Sequence, residues 1–149
     1  MTPLEEARSI FSEDRFATET TGIEILEVGE KYAKCRLRTG PEHKNAADTV
    51  MGGAIFTLAD LTFAVASNFR QGHTVGVVSQ ISFLSAPKYG AVLYAESRLI
   101  RDGRRSCFYE IDITSEEGKP IAHVTMNGMH IQEYEASARA SHCQDHLRD

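Results

Sequence analysis

The stretch from Asn45 to Ser67 constrains the fold of this chain more than any other part of the sequence. It consists of a polar loop, the glycine pair Gly52-Gly53 and a long apolar segment. From Ala54 to Ala66, ten of thirteen residues are apolar, and they lie all round a helical wheel. A helix that is apolar on every side either spans a membrane or is enclosed by the rest of the fold. Because this segment is shorter than the roughly 20 residues that a bilayer needs, the sequence predicts an enclosed helix.

Asp60 is the one acid inside this apolar segment. A buried acid costs stability unless it is paired or used, so Asp60 is either functional or bonded to Thr57 or a neighbouring strand. Gly52 and Gly53 stand at the predicted helix start, where backbone N–H groups have no intrahelical acceptor and other groups can approach closely. They indicate either a binding feature or simple close packing. Asp60 follows Gly53 by seven residues, about 700° round the helix, and so lies on nearly the same face.

The remaining sequence predicts one domain of the α+β class. Residues 1–132 carry helix and strand patterns, whereas residues 133–149 carry neither and are expected to form a weakly ordered tail. Hairpin connections favour an antiparallel sheet, and one sheet can cover only one side of a helix. We therefore expect the sheet to curl round the central helix and a second copy of the chain to complete the cover. The predicted helices span residues 3–12 and 52–69, and the predicted strands span 23–28, 31–38, 75–86, 92–101, 104–115 and 120–132.

Charge and cysteine usage exclude several classes of protein. A net charge of −5 argues against a general binder of nucleic acids or membrane surfaces. Cys35, Cys107 and Cys143 form no CxxC pair and indicate inert thiols rather than a disulfide framework. The N-terminal segment shows no signal-peptide pattern, so a cytoplasmic location is expected. No cofactor or metal is expected, because the histidines and Cys143 near the C-terminus match a metal cluster in composition only.

The segment around the glycine pair matches a known motif. Asn45, Met51-Gly52-Gly53 and Leu58-Ala59-Asp60 stand at the spacing of an Asn, a His-Gly-Gly and a Leu-Ala-Asp element. On these residues the chain resembles the hotdog-fold acyl-CoA thioesterases of the phenylacetate-degradation type, and the likeness covers roughly residues 20–132. Two positions differ from the family pattern: Asp48 stands where the family usually has glycine, and Met51 where it usually has histidine.

The resemblance implies the hotdog fold and the hydrolysis of a small or medium acyl-CoA thioester, aryl-acyl groups included, to free acid and coenzyme A. The Gly53 backbone N–H would polarise the carbonyl, since helix N-terminal amides favour developing negative charge. Asp60 would act as general base toward water or as nucleophile, and the sequence leaves both open. Asn45 either bonds the site, as the family asparagine does, or bonds only its own loop.

Helix geometry separates the two main groups of this expected site. Seven residues at ~1.5 Å each put Asp60 about 10 Å along the axis from Gly53. One chain therefore has difficulty in placing both groups on one carbonyl, whereas two antiparallel central helices would bring Asp60 of one chain near Gly53 of the other. The resemblance implies the same arrangement, because family sites lie at subunit interfaces. A homodimer, and further a dimer of dimers, is expected.

The expected substrate-binding residues fall into two groups. Gly52 admits the thioester, Met51 fills space, and two aromatic side chains, Phe56 and Phe63, line the acyl pocket with the strand over residues 75–86. Coenzyme A carries phosphates, so cations on turns are expected at the mouth of the site, although any one of them taken alone is better explained as a solvated turn residue. These cations are Lys88, Arg101, Arg104 and Arg105. His43 is expected to be a solvated loop histidine rather than a substitute for the histidine that Met51 replaces.

Two other functions stay open at this point. The first is a non-catalytic binder of acyl-CoA or a lipid-like ligand, which Met51 supports because methionine neither donates a hydrogen bond nor carries charge. The second is an acyl thioester dehydratase. Such enzymes pair a catalytic histidine with an acid, and Met51 at the expected histidine position counts against that reading.

Overall fold

A computed structural model describes residues 1–131 of the chain, which build one sheet and one long helix. The predicted tail over residues 133–149 lies outside the described residues, as does Gln132 at the predicted end of the last strand. The helices are α1 (Pro3–Phe11), a π-helical turn (Phe16–Thr20), a 3-10 turn (Pro41–His43) and α2 (Gly52–Asn68). The strands are β1 (Glu24–Gly29), β2 (Tyr32–Arg38), β3 (Thr74–Phe83), β4 (Val92–Asp102), β5 (Ser106–Ser115) and β6 (Pro120–His130).

The six strands form one antiparallel sheet in the order β1-β2-β4-β5-β6-β3. Among the described strands β3 pairs only with β6 and forms one edge of the sheet, although it follows α2 directly in sequence. The predicted α+β class, with an antiparallel sheet against one central helix, is confirmed. None of the helices within residues 1–131 is long and apolar enough to cross a membrane.

The helix α2 packs against the inner face of the sheet with most of its apolar side chains. Leu58, Val65 and Ala66 are fully buried there. Full burial of a large side chain such as Leu58 or Val65 stabilises the fold by about 1.5–3 kcal/mol. The opposite stripe of the helix is open in the single chain, because one sheet covers only one side. Gly53 and Asp60 are both exposed on this stripe. In the single chain Asp60 is therefore exposed, and the expected cover of this stripe by a second copy stays a prediction.

Both ends of α2 are fixed by the residues around them. Met51 is the N-cap residue with an extended backbone (ψ 136°), and its carbonyl oxygen accepts from the N–H groups of Ala54 (3.0 Å) and Ile55 (3.3 Å). At the other end the Asn68 side chain accepts from the Thr74 N–H (2.7 Å) and donates to the Thr74 carbonyl (3.2 Å). These two bonds tie the end of α2 to the first residue of β3 and make the helix and this edge strand antiparallel neighbours.

Most predicted strand bounds differ from the structure by one or two residues, and at two strand ends hydrogen bonds give the reason. β3 ends at Phe83, because the N–H groups of Leu84 and Ser85 both donate to the Ile121 carbonyl instead of continuing the ladder. β5 begins at Ser106 rather than at Arg104, because residues 103–105 form the turn and Gly103 N–H donates to the Ser106 carbonyl (2.8 Å).

The core between α2 and the end of β6 is packed tightly round Gly128. Phe63 meets Tyr109 edge to face at a centroid distance of 5.6 Å, and the Tyr109 hydroxyl reaches the Ala66 carbonyl at 3.4 Å. A Cβ atom added to Gly128 would lie 2.8 Å from the Phe63 ring and 2.9 Å from the Cys107 sulfur. No side chain fits at this position without moving its neighbours.

Replacing Gly128 by alanine is expected to lower the free energy of unfolding by about 1–3 kcal/mol, the usual cost of an overpacked core. Gly72→Ala is the matched control, because a Cβ atom there would meet nothing within 4 Å. Urea denaturation of the two variants measures the difference. Equal stability of Gly128→Ala and the parent protein would contradict this packing.

Candidate active site

The first turn of α2 presents two backbone N–H groups, those of Gly52 and Gly53, that find no acceptor among the described residues. The two glycines differ in their surroundings. A Cβ atom on Gly52 would lie 2.9 Å from the Phe83 ring, whereas one on Gly53 would meet nothing within 4 Å. The Gly53 amide therefore lies beside open space at the positively polarised end of a 17-residue helix. Such an amide is suited to bind a carbonyl oxygen or an anion.

A shallow cavity of about 230 Å³ opens beside this helix start. Its floor is the first turn of α2, and its walls come from the loop before the helix and from the end of β3. The lining is mostly apolar, with a few hydroxyl and amide groups, as in sites that hold a small organic group. The lining residues are Asn45, Thr49, Val50, Gly52, Ile55, Phe83, Ser85 and Ala86.

Asn45 lines this cavity, but its side chain is engaged in its own loop. Its Oδ1 accepts from the backbone N–H groups of Ala47 (2.9 Å) and Thr49 (3.1 Å), and its Nδ2 donates to Thr49 Oγ1 (2.8 Å). Side-chain amides of this kind mimic a backbone turn and fix loop geometry. In the single chain, Asn45 thus shapes the loop that carries Met51 to the helix start.

Asp60 lies on the same open stripe of α2 as Gly53. Its carboxylate makes no hydrogen bond or salt bridge to any residue within 1–131, and Thr57 donates instead to the Gly53 carbonyl (2.7 Å). The pKa of Asp60 is raised by partial burial among the neighbouring groups and, second, by the negative charge of Asp14. An acid that is partly desolvated and has no partner is a candidate for proton transfer or nucleophilic attack.

Asp14 is a charged neighbour of Asp60 that sequence reasoning missed. It precedes the π-helical turn Phe16–Thr20, which contacts α2, and this places its charge close enough to act on Asp60. Nothing in the spacing of the sequence joins these two acids, which are 46 positions apart. Their approach depends on how the segment after α1 crosses the central helix, so only the fold shows it.

The two unusual loop residues have distinct environments. The Met51 side chain lies beside the helix start and is 57 % exposed. The Met51 backbone N–H donates to the His43 carbonyl (2.8 Å). His43 is buried, and the prediction of a solvated histidine is wrong. Its Nδ1 accepts from the Gly40 N–H (3.0 Å), and its Nε2–H donates to the Thr21 carbonyl (2.7 Å). Both ring nitrogens are used in holding the loop, so His43 has no nitrogen left for chemistry.

The two predicted pocket aromatics are not brought together. Phe56 is partly buried, one residue before Thr57 on the open stripe. Phe63 is only 3 % exposed and packs in the core against Tyr109. Within one chain, Phe56 lies beside the helix-start region, whereas Phe63 packs between α2 and β5.

The predicted cations are also divided by the structure. Lys88 lies in the loop between β3 and β4, and its backbone forms an isolated β-bridge with Thr49. This pairing places Lys88 beside the loop that leads into α2. Arg101, Arg104 and Arg105 lie at the far end of β4, whose 11 residues span about 35 Å at the usual strand rise. All four side chains are exposed, and none forms a salt bridge to a residue that the structure describes. The expected single cluster is therefore not formed within one chain.

Comparison with known proteins identifies the family. Residues 47–122 match the model of the thioesterase superfamily. The chain is 37 % identical over 98 residues to a putative esterase of Archaeoglobus fulgidus, a match covering 66 % of this chain and 64 % of that protein. It is 27 % identical over 118 residues to the acyl-coenzyme A thioesterase PaaI of Escherichia coli, covering 79 % of this chain and 84 % of that protein.

Solved structures give the same result for the fold. The structure of Escherichia coli PaaI superposes with a TM-score of 0.81 at 24 % identity, covering 87 % of this chain and 94 % of that one. A hypothetical thioesterase of Streptococcus pneumoniae, solved with coenzyme A, superposes with a TM-score of 0.76 at 22 % identity, covering 81 % and 96 %. On the family match and the shared fold, this chain belongs to the thioesterase superfamily and has the hotdog fold, and it is similar in sequence to the acyl-CoA thioesterase PaaI.

Proposed function

We propose that this protein hydrolyses the thioester of a small or medium acyl-CoA, aryl-acyl groups included, to the free acid and coenzyme A. The observation that carries the proposal is one open stripe of α2. This stripe presents a backbone amide at Gly53 and a carboxylate at Asp60, both exposed and both without a partner among residues 1–131. Thioester hydrolysis needs these two features: a donor for the carbonyl oxygen and a group that activates or delivers the attacking oxygen.

The Gly53 N–H would donate to the thioester carbonyl oxygen and stabilise the negative charge that develops there. With Asp60 as general base, its carboxylate takes a proton from water while the water oxygen attacks the carbonyl carbon. The tetrahedral intermediate then breaks its C–S bond, and coenzyme A leaves as a thiolate that is protonated. With Asp60 as nucleophile, its carboxylate oxygen attacks the carbonyl carbon, the C–S bond breaks and coenzyme A leaves as the thiolate, which is protonated; water then hydrolyses the mixed anhydride to the free acid and regenerates the carboxylate. Both routes need Asp60 ionised.

A site shared between two chains follows from distance. Gly53 and Asp60 are separated by about 10 Å along one helix, too far to act on one carbonyl group. Two α2 helices packed antiparallel by their open stripes would set Asp60 of each chain opposite Gly53 of the other. The stripe that the sheet leaves uncovered then becomes the interface, and partial burial there would raise the pKa of Asp60 further.

The edge strand β3 supports the same dimer. It is 10 residues long, and its side chains Val77, Val78 and Phe83 are each more than half exposed in the single chain. A long apolar edge strand readily pairs with another chain through its free backbone groups. Antiparallel pairing of two β3 strands would continue the sheet and lay the two α2 helices side by side. A further association into a dimer of dimers stays an expectation, as does a cytoplasmic location.

The substrate would lie along the helix start of one chain. Gly52, which lines the cavity, and the exposed Met51 beside it would border the entry of the thioester, and Asn45 holds the loop that forms one wall. Phe56, on the edge of the open stripe, would contact the acyl group, with Phe63 behind it as support. Lys88 and the arginines at residues 101, 104 and 105 are the candidates for the phosphates of coenzyme A.

A second function, binding of an acyl-CoA or lipid-like ligand without hydrolysis, is favoured by one observation. The position at the helix start holds a methionine, and the Asn45 side chain is occupied by its own loop, so fewer polar groups face the cavity. The two functions differ in whether thiol is released.

Asp60→Asn is expected to reduce the rate of thiol release from acyl-CoA substrates by about 10²–10⁴-fold, the usual contribution of a positioned acid or base. Thiol release is measured with a panel of aliphatic and aryl acyl-CoAs. Asp112→Asn, an aspartate on the outer face of the sheet, is the control and keeps its activity. Absence of Asp60-dependent release from every substrate would contradict the enzyme proposal, and tight coenzyme A binding in that case would support the binding function.

Asp14→Asn is expected to move the acidic limb of the kcat/KM profile to lower pH. The charge of Asp14 raises the pKa of Asp60, and activity grows as Asp60 ionises with rising pH. Removing that charge lowers the pKa, so activity appears at lower pH. Glu13→Gln, which neutralises the neighbouring acid, is the control and leaves the limb in place. An unmoved limb in Asp14→Asn would show that Asp14 does not act on the titrating group.

A further inference from the structure

One end of the sheet carries a chain of four hydrogen-bonded side chains that the proposed mechanism does not use. Thr74 Oγ1 lies 2.7 Å from His130 Nδ1, and His130 Nε2 lies 2.7 Å from Asp102 Oδ1. The second oxygen of this carboxylate, Oδ2, accepts from Lys31 Nζ (2.7 Å). We call these four side chains the polar brace. They come from the start of β3, the end of β6, the end of β4 and the turn between β1 and β2.

The two central members of the polar brace are partly shielded from water and fully bonded. The side chains of His130 and Asp102 are 24 % and 19 % exposed. Both ring nitrogens and both carboxylate oxygens have a partner. The Lys31 ammonium and, after it, the imidazole lower the pKa of Asp102, so this carboxylate is ionised at neutral pH. A satisfied and partly desolvated network of this kind holds its members in one geometry.

The polar brace fixes the turn between β4 and β5. Asp102 belongs to residues 101–105, which we call the β4–β5 tip. His130 holds this tip at two points: its ring bonds the Asp102 carboxylate, and its backbone N–H donates to the Arg105 carbonyl (2.9 Å). One residue of β6 therefore bonds the tip on both sides of the turn, and the tip keeps a fixed position relative to the sheet.

The β4–β5 tip carries three exposed arginines around the acid of the polar brace: Arg101, Arg104 and Arg105. By its charge alone, Asp102 would weaken the binding of an anion to this tip. Its bonds to two other parts of the sheet give it a different role, because long cationic side chains on an unsupported turn must be ordered when they bind a ligand. Ordering costs affinity, and a rigid supporting shell removes part of that cost.

We propose that His130 and Asp102 are positioning residues for coenzyme A, holding the β4–β5 tip so that its arginines meet phosphate groups in a fixed geometry. This inference rests on the proposed function, in which these arginines are the candidates for the phosphates. Neither His130 nor Asp102 contacts the ligand in this account. Both act through the place of the turn.

Asp102→Ala separates positioning from charge, because the two effects have opposite signs. Loss of a negative charge among three arginines would strengthen coenzyme A binding if charge alone counted. With the polar brace broken, we expect binding to weaken by roughly three- to tenfold, the cost of ordering one or two side chains. Calorimetric titration with coenzyme A measures the affinity. Asp112→Ala removes an equal charge from the outer face of the sheet and is the control with parental affinity. Equal or tighter binding by Asp102→Ala would overturn the inference.

His130→Ala is expected to raise KM for acyl-CoA by a similar factor and to leave kcat unchanged, since the amide and the acid of the proposed mechanism lie elsewhere. His123→Ala is the matched control: this second histidine of β6 bonds Asp112 on the outer face (2.8 Å). Thr74→Val keeps the shape of the side chain and removes its hydroxyl, so it raises KM in the same direction even if His130→Ala does not fold. Thr74→Ser retains the hydroxyl and restores KM.

A double-mutant cycle excludes a general loss of stability as the cause. Arg104→Gln/Arg105→Gln weakens coenzyme A binding by itself, and His130→Ala in that background has a clearly smaller effect than in the parent, because the tip has lost the cations that it positions. An equal loss in both backgrounds, or unchanged affinity in Arg104→Gln/Arg105→Gln, overturns the inference.

Failure of this inference is distinguishable from failure of the proposed function. If the parent protein shows Asp60-dependent hydrolysis while Asp102→Ala and His130→Ala bind coenzyme A as the parent does, the positioning role alone is overturned. If the parent neither binds coenzyme A nor hydrolyses acyl-CoA, the proposed function is overturned together with it.

Discussion

The packing of α2 against one face of an open sheet is the interaction on which the rest of this structure depends. It buries the larger side chains of the helix, such as Leu58 and Val65, and fixes the start of α2 beside the end of β3. The same packing leaves one stripe of the helix bare, with Gly53 and Asp60 on it. An apolar helix with an open stripe and an apolar edge strand next to it forms a surface that a second copy can cover. In our proposal, fold, assembly and active site share this surface.

The candidate site keeps groups that a purely structural helix would avoid. Asp60 has no partner among the described residues, and the nearby Asp14 adds a like charge that opposes its ionisation. In the part of the chain that the structure describes, the Gly52 and Gly53 amides have no acceptor and no side chain caps the helix start. Unpaired donors and an unpaired acid cost stability in the absence of a ligand, and strained or unsatisfied groups of this kind cluster at functional sites. Their concentration on one stripe is the physical basis for placing the chemistry there.

Much of the fold could be predicted from the sequence because its signals are local. The continuous apolar run after Gly52-Gly53 predicted α2 to within a residue, and alternation with turn residues predicted all six strands. The sequence indicated the candidate site most directly where its residues share one helix, as Gly53 and Asp60 do. The effect of Asp14 on Asp60 could not be predicted, because the two residues are 46 positions apart in the sequence. They come close only where the segment after α1 crosses α2. The burial of His43 depends on a bond to Thr21, and the separation of Lys88 from the arginines depends on strand order.

The central claim is that one active site takes its amide from one chain and its acid from another. A crystal structure of the Asp60→Asn variant with an intact acyl-CoA bound tests this claim most directly. The account predicts a carbonyl oxygen about 2.7–3.1 Å from the Gly53 nitrogen of one protomer, with the side chain at position 60 of the partner subunit facing the carbonyl carbon. A thioester held by both positions of a single chain, or bound away from the start of α2, would contradict it.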